Sequence, residues 1–136
     1  MGKVQPRPIT INGLLFKADC KDSSLVVPKG VKKFHSCLFD NKNIPFELVC
    51  DFIPLQKDMK NLWCSGSGCR TLKITSSAAK INLSALKKFD SLAELILPED
   101  YKQYKTVDGI LYSHDGKTLV FYPRGKLELF LLFQTE

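Results

Sequence analysis

A recurring interval of about two dozen residues constrains this chain more than any other feature. In the stretch LAELILP, Leu92, Leu95 and Leu97 have the spacing of a short strand buried on one side. Stepping back from Leu97 reaches Ile74, Cys50 and Val27 at intervals of 23, 24 and 23 residues, and each stands two residues after another apolar residue: Leu72, Leu48 and Leu25. An internal period of this size is the mark of stacked coils rather than of a globule around one central core. The spacing predicts that Leu25 and Val27, Leu48 and Cys50, Leu72 and Ile74, and Leu95 and Leu97 point inward, each stacking on the next coil at about 4.8 Å. The residues between them should then face outward, with Val26, Val49, Lys73 and Ile96 in one column and Ser24, Glu47, Thr71 and Glu94 beside it.

The first coil runs from Leu25-Val26-Val27-Pro28 through Val31, Phe34, Leu38 and Phe39. Pro28 stops the strand, and apolar spacings of 3, 4 and 1 describe a bent, partly helical return segment. The second coil opens with PFELVC and continues through DFIPLQKDMKNLW; the third runs from Cys69, Leu72 and Ile74 to Ala78, Ile81, Ala85 and Leu86. Phe39, Trp63 and Leu86, spaced 24 and 23 apart, are expected at the same place in successive coils. The intervening CSGSG lacks the lysine and the glycine spacing of a phosphate-binding loop and reads as a turn.

The ends differ from the middle. Residues 1–9, with Pro6 and Pro8, read as an extended lead-in, and Asn12-Gly13 marks a hairpin. From Tyr104 to Lys126 apolar and polar residues alternate on both sides of His114-Asp115-Gly116-Lys117, a second hairpin signal. It echoes the first: NGLLF from Asn12 corresponds to DGILY from Asp108, 96 residues on, and VVPKG from Val26 to FYPRG from Phe121, 95 residues on. Four periods separate the hairpins, so they are expected at equivalent places in the stack, giving a solenoid over residues 10–126. In residues 127–136, Leu127, Leu129, Phe130, Leu131, Leu132 and Phe133 would expose a large apolar surface unless folded over the last coil. They read as a cap, a truncated further coil, or a self-association contact through Leu127 to Phe133.

At 136 residues the chain is one domain or a fragment of a longer array. Its formal charge of +6 comes from lysines spread along the sequence, which permits weak polyanion binding without a focused nucleic-acid footprint. No apolar run has the length of a signal peptide or a bilayer span, so no membrane span is expected, and a complete chain would be cytoplasmic. The five cysteines are expected to be reduced structural thiols, with Cys50 and Cys69 at buried positions of the repeat; one disulfide between Cys64 and Cys69 is the alternative. Only His35 and His114 could join the thiols at zinc, and neither has a ligand spacing, so neither a metal nor another cofactor is expected.

The phrases LVVPKGVKKFHSCLF and DGILYSHDGKTLVFYPRGK closely resemble the BspA-type leucine-rich repeats. Coils of that family read as apolar-x-Ile-Pro, then Val-x-x-Ile, then Ala-Phe, with a DG-apolar-LY hairpin between groups of coils. Val31, Phe34 and Phe39 match the first coil, and Ala78, Ile81 and Ala85-Leu86 match the third more loosely. The second coil departs, with Phe52-Ile53-Pro54 where the family has Pro then Val. The resemblance implies a right-handed leucine-rich-repeat solenoid of α/β class. A short parallel sheet would line one face, irregular or short helical segments would form the returns, and the setting would be the cell surface or secretion, in adhesion or partner binding.

The expected function is a non-catalytic interaction or adhesion scaffold that binds a protein on its sheet face through Val26, Glu47, Val49, Thr71, Lys73, Glu94 and Ile96, because rigid strands hold side chains in a fixed array. The alternatives are polyanion binding, to glycosaminoglycan or nucleic acid, through Lys29, Lys32, Lys33, Lys87 and Lys88, and an array fragment without independent function. Catalysis has little in its favour. Cys37 with His35 lacks an orienting third group, and His114 beside Asp115 reads as a turn residue.

Overall fold

Short apolar alternations ended by proline, glycine or serine fold as strands too brief to stand alone, and stability comes from pairing them across the repeat. The structure is a computed structural model that describes residues 9–11, 13–17, 24–34, 44–53, 62–63 and 68–126. Along the chain lie β1 (Ile9–Ile11), β2 (Leu14–Lys17), β3 (Ser24–Val26), β4 (Lys33–Phe34), β5 (Glu47–Cys50), β6 (Thr71–Ile74), α1 (Leu83–Leu86), β7 (Glu94–Ile96), β8 (Tyr104–Val107), β9 (Ile110–Ser113) and β10 (Leu119–Phe121). The class is mixed α/β, with a parallel sheet in the order β3-β5-β6-β7, an antiparallel sheet β10-β9-β8, and a small mixed sheet β1-β2-β4.

Register in the parallel sheet follows the sequence period. Leu25 pairs with Leu48, Leu48 with Leu72 and Leu72 with Leu95, while Cys50 pairs with Ile74. Backbone bonds extend the ladder past the strand ends, from Val27 N to Val49 O at 2.8 Å and from Thr75 N to Cys50 O at 2.9 Å. Leu25, Val27, Leu48, Cys50, Leu72, Ile74, Leu95 and Leu97 are all buried and belong to one apolar cluster. A parallel pair needs a long crossover. Between β6 and β7 that crossover contains α1, a single turn whose N-cap Asn82 accepts from Ala85 N at 3.1 Å through Oδ1.

The third return segment departs from the expected frame by one residue. Pro28 O and Pro98 O accept from the third residue beyond, Val31 and Tyr101, and in the third coil Ser76 O accepts from Ala79. Thr75 is therefore one residue more than the first coil has at this point, so Ala79 is buried and Ala78 exposed. The Trp63 ring stacks on Phe89, three residues beyond Leu86, with ring centroids 4.1 Å apart and planes 8° from parallel. Both Trp63 and Leu86 are buried, and Trp63 Nε1 is buried without a hydrogen-bond partner.

The β1–β2 and β8–β9 hairpins share register next to their turns but dock differently, and only the first slips by a residue further out, between Ile9 and Thr10. Ile11 pairs with Leu14 as Val107 pairs with Ile110, and Gly13 and Gly109 have nearly equal φ, +79° and +78°. Gly13 O, however, accepts from Lys32 N and Lys33 N, and β2 runs parallel to β4. Gly109 O instead accepts from Leu95 N, so the second hairpin seals the outer edge of β7. Gly125 N donates to Leu92 O, and a methyl group on Gly125 would collide with the Ser91 carbonyl, which explains glycine there. The lead-in and the apolar tail lie outside the described residues, apart from Ile9. Among the described residues no helix is long and apolar enough to cross a membrane.

Candidate functional site

Parallel sheets are ordinarily covered on both faces. Here one face holds the apolar columns and the other is partly open. Along the row Val26, Val49, Lys73 and Ile96, whose registers are continuous, Val26 is 65% exposed, Lys73 is exposed, and Val49 and Ile96 are half-buried. Val26 lies on β3, the terminal strand of this sheet among the described residues, whereas Val49 on β5 has a paired strand on both sides. The row Ser24, Glu47, Thr71, Glu94 lies beside it, with Ser24 Oγ donating to Glu47 Oε1 at 3.3 Å.

One residue of the expected face does not belong to its accessible surface. Thr71 is 7% exposed: its short side chain sits in register between the longer Glu47 and Glu94. Sequence reasoning also missed Phe46, 59% exposed at the amino end of β5, where its carbonyl accepts from Arg70 N and Thr71 N. Its parity matched the inward column, and only the bend before β5 turns it out.

The lysines of the polyanion alternative divide. Lys32 and Lys33 line a concave space of about 660 Å³ at the carboxyl ends of β3, β5 and β6, together with Lys80 and Asp51. Lys87 and Lys88 follow α1, one helical turn further along the return segment, and do not line that space; Lys29 is exposed on the turn after β3.

The two thiols among the described residues, Cys50 and Cys69, are both buried. Cys50 is a free buried thiol that donates to Phe52 O at 2.8 Å. Desolvation by burial, reinforced by the nearby Asp51, pushes its pKa up to about 12, so the thiolate is suppressed. Cys69 is buried and lies as a weak donor 3.4 Å from Phe46 O and 3.3 Å from Thr71 O. Cys37, His35 and Cys64 lie outside the described residues. His114 is exposed in the β9–β10 turn, where the neighbouring Asp115 accepts from Ser113 Oγ at 2.6 Å and from Lys117 N at 2.9 Å. Those bonds hold the Asp115 carboxyl below its ordinary range. Among the described residues no cluster of three His, Cys, Asp or Glu side chains could hold a metal ion.

Comparison with protein-family models, with curated proteins and with solved structures finds no match to this chain.

Proposed function

We propose that the chain is a short leucine-rich-repeat solenoid of the BspA type, acting as a non-catalytic scaffold that docks a partner protein on the open face of the β3-β5-β6-β7 sheet. The observation that carries this reading is the open face of a parallel sheet, with an apolar residue exposed at its edge, Val26, and two more half-buried in the same row, Val49 and Ile96. Glu47, Lys73 and Glu94 supply charge around them, the mixture of apolar centre and polar rim that recognition surfaces use. Register pairing of adjacent strands fixes these side chains relative to one another, so little order has to be imposed on binding. The resemblance to cell-surface repeat proteins supports an adhesion or partner-capture setting.

Quantitative affinity capture tests it. Val26→Asp, and the pair Val26→Asp with Val49→Asp, put charge into the apolar row while circular dichroism reports on the fold. Weakened capture with the first and abolished capture with the second are expected. Unchanged capture by the folded double variant removes this face from the account.

A further inference from the structure

The carboxyl ends of the parallel strands carry a second feature that the sheet-face reading does not use. The space of about 660 Å³ is bordered by three successive strand-ending turns: Gly30 to Lys33, Asp51 to Ile53, and Ser76 with Ala78 to Lys80. Its floor is apolar, formed by buried Val31, Ile53 and Ala79 and half-buried Phe52, whose ring packs at 5.5 Å on that of Phe34. Lys32, Lys33 and Lys80 stand exposed around it against Asp51, and among the described residues none of these lysines is engaged in an ion pair. A second space of about 630 Å³ shares Ala78, Ala79 and Lys80 and continues to Asp100, Tyr101 and Lys102 beyond β7. The two adjoin at Ala78, Ala79 and Lys80, so together they border the carboxyl ends of four strands, three intervals of about 4.8 Å, close to the reach of about four residues of extended chain.

We propose that this edge groove is a peptide-binding site for an extended segment of about four residues that places acidic side chains over Lys32, Lys33 and Lys80 and one large apolar side chain on Val31, Phe52, Ile53 and Ala79. Charge complementarity selects the acidic end, and the apolar floor selects the side chain beside it. A nucleic acid fits less well. Asp51 and Asp100 oppose a continuous line of phosphates, and a sugar-phosphate backbone leaves the apolar floor unused. A planar membrane surface would not enter a concave channel. The groove lies at the strand ends, separate from the sheet face, so each site can fail without the other.

The test is a titration of the isotope-labelled full chain with the blocked tetrapeptide acetyl-Glu-Asp-Phe-Gly-amide, followed by amide chemical shifts. Two control peptides replace the acids with Gln-Asn or the phenylalanine with glycine. Shifts should gather at Val31, Lys32, Phe52, Ile53, Ala79 and Lys80, and each control should bind about tenfold more weakly. Lys32→Glu with Lys80→Glu should weaken binding by about tenfold or more, Ala78→Trp should block it by filling the channel, and Val26→Asp should leave it unchanged. These side chains are exposed, and the unshifted remainder of each spectrum reports that the variants are folded. Absence of shifts with the acidic peptide overturns the proposal. So does equal binding of the peptide lacking phenylalanine, which would mean diffuse charge attraction, or shifts confined to the sheet face.

Discussion

In the parallel sheet the inward side chains of adjacent strands pair in register and are buried in one apolar cluster, whereas in the β8–β9–β10 sheet Leu111 and Phe121 alone among the strand residues are buried. The same chain thus holds together by two different means. Stacked leucines and their neighbours carry the first region. The second is organised by its turns, with Asp108 at φ 54°, Gly109 at φ 78° and Gly116 at φ 77°, and by docking of Gly109 against β7. Two positive φ angles in succession at Asp108-Gly109 suit the twist of a two-residue hairpin, which only residues tolerant of the left-handed region supply cheaply. The comparison teaches that truncating side chains should harm the first region most, and altering the backbone should harm the second.

Leu72→Ala strikes the first region at its centre, and a loss of about 2 to 5 kcal/mol in chemical denaturation is expected. Truncating the exposed Val107 to alanine in the second region should change stability by no more than about 0.5 kcal/mol. Equal losses at the two positions would erase the distinction.

Gly109→Ala is the reciprocal experiment. A Cβ there would lie 2.8–2.9 Å from Glu94 atoms, on a backbone at φ +78°. Strain of about 1 to 3 kcal/mol is expected, with faster hydrogen exchange at the Leu95 amide that Gly109 O holds. Gly30→Ala, at φ +90° but with nothing within 4 Å, should cost less and leave the Leu95 amide protected. A larger loss at Gly30 would contradict the docking argument.

Alkaline titration separates the regions more gently. Cys50 keeps its proton in the folded chain up to about 12 but loses it near 9.0 when unfolded. Its contribution is therefore fully present below pH 9 and is lost as pH rises from 9 towards 12, by up to about 1.4 kcal/mol per pH unit. Tyr101, raised first by desolvation and then by Tyr104, adds a fall of the same sign above pH 10. Cys50→Ala should flatten the Cys50 part of the slope in urea-denaturation curves taken across this window; an unchanged slope would mean the thiol is not desolvated.

The smallest effect belongs to Asp115, fully exposed in the β9–β10 turn. Its lowered pKa means its stabilising bonds are present above the ordinary carboxylate range and fade as pH falls through the folded value. Asp115→Ala should speed exchange of the Lys117 amide and leave the parallel sheet untouched. Altered exchange at Leu48 or Leu72 would show the two regions to be coupled.

Much of this was legible because register and period are the same quantity. Intervals of 23, 24 and 23 place Leu25, Leu48, Leu72 and Leu95 side by side, and Asn12-Gly13 and Asp108-Gly109 mark turns by residue chemistry alone. What escaped depends on local lengths and neighbours. Thr75 adds a residue that moves burial from Ala78 to Ala79, and Thr71 is buried between strand neighbours Glu47 and Glu94. Lys80 joins Lys32 and Lys33 because it lies in the turn directly after β6, while α1 carries Lys87 and Lys88 further along the return. Buried Ser91 had no periodic signature either. Its hydroxyl donates at 2.7 Å to the carbonyl of Cys69, a residue 22 positions earlier in the sequence that only the folded chain brings beside it.

Selective methyl labelling of leucine gives the most direct test of the stacking itself. Nuclear Overhauser contacts are expected between Leu25 and Leu48, Leu48 and Leu72, and Leu72 and Leu95. None is expected between Leu25 and Leu95, which stand three strand spacings, about 14 Å, apart. A contact between Leu25 and Leu95, or the absence of the Leu48 to Leu72 contact, would contradict the stacked register from which both proposed binding surfaces follow.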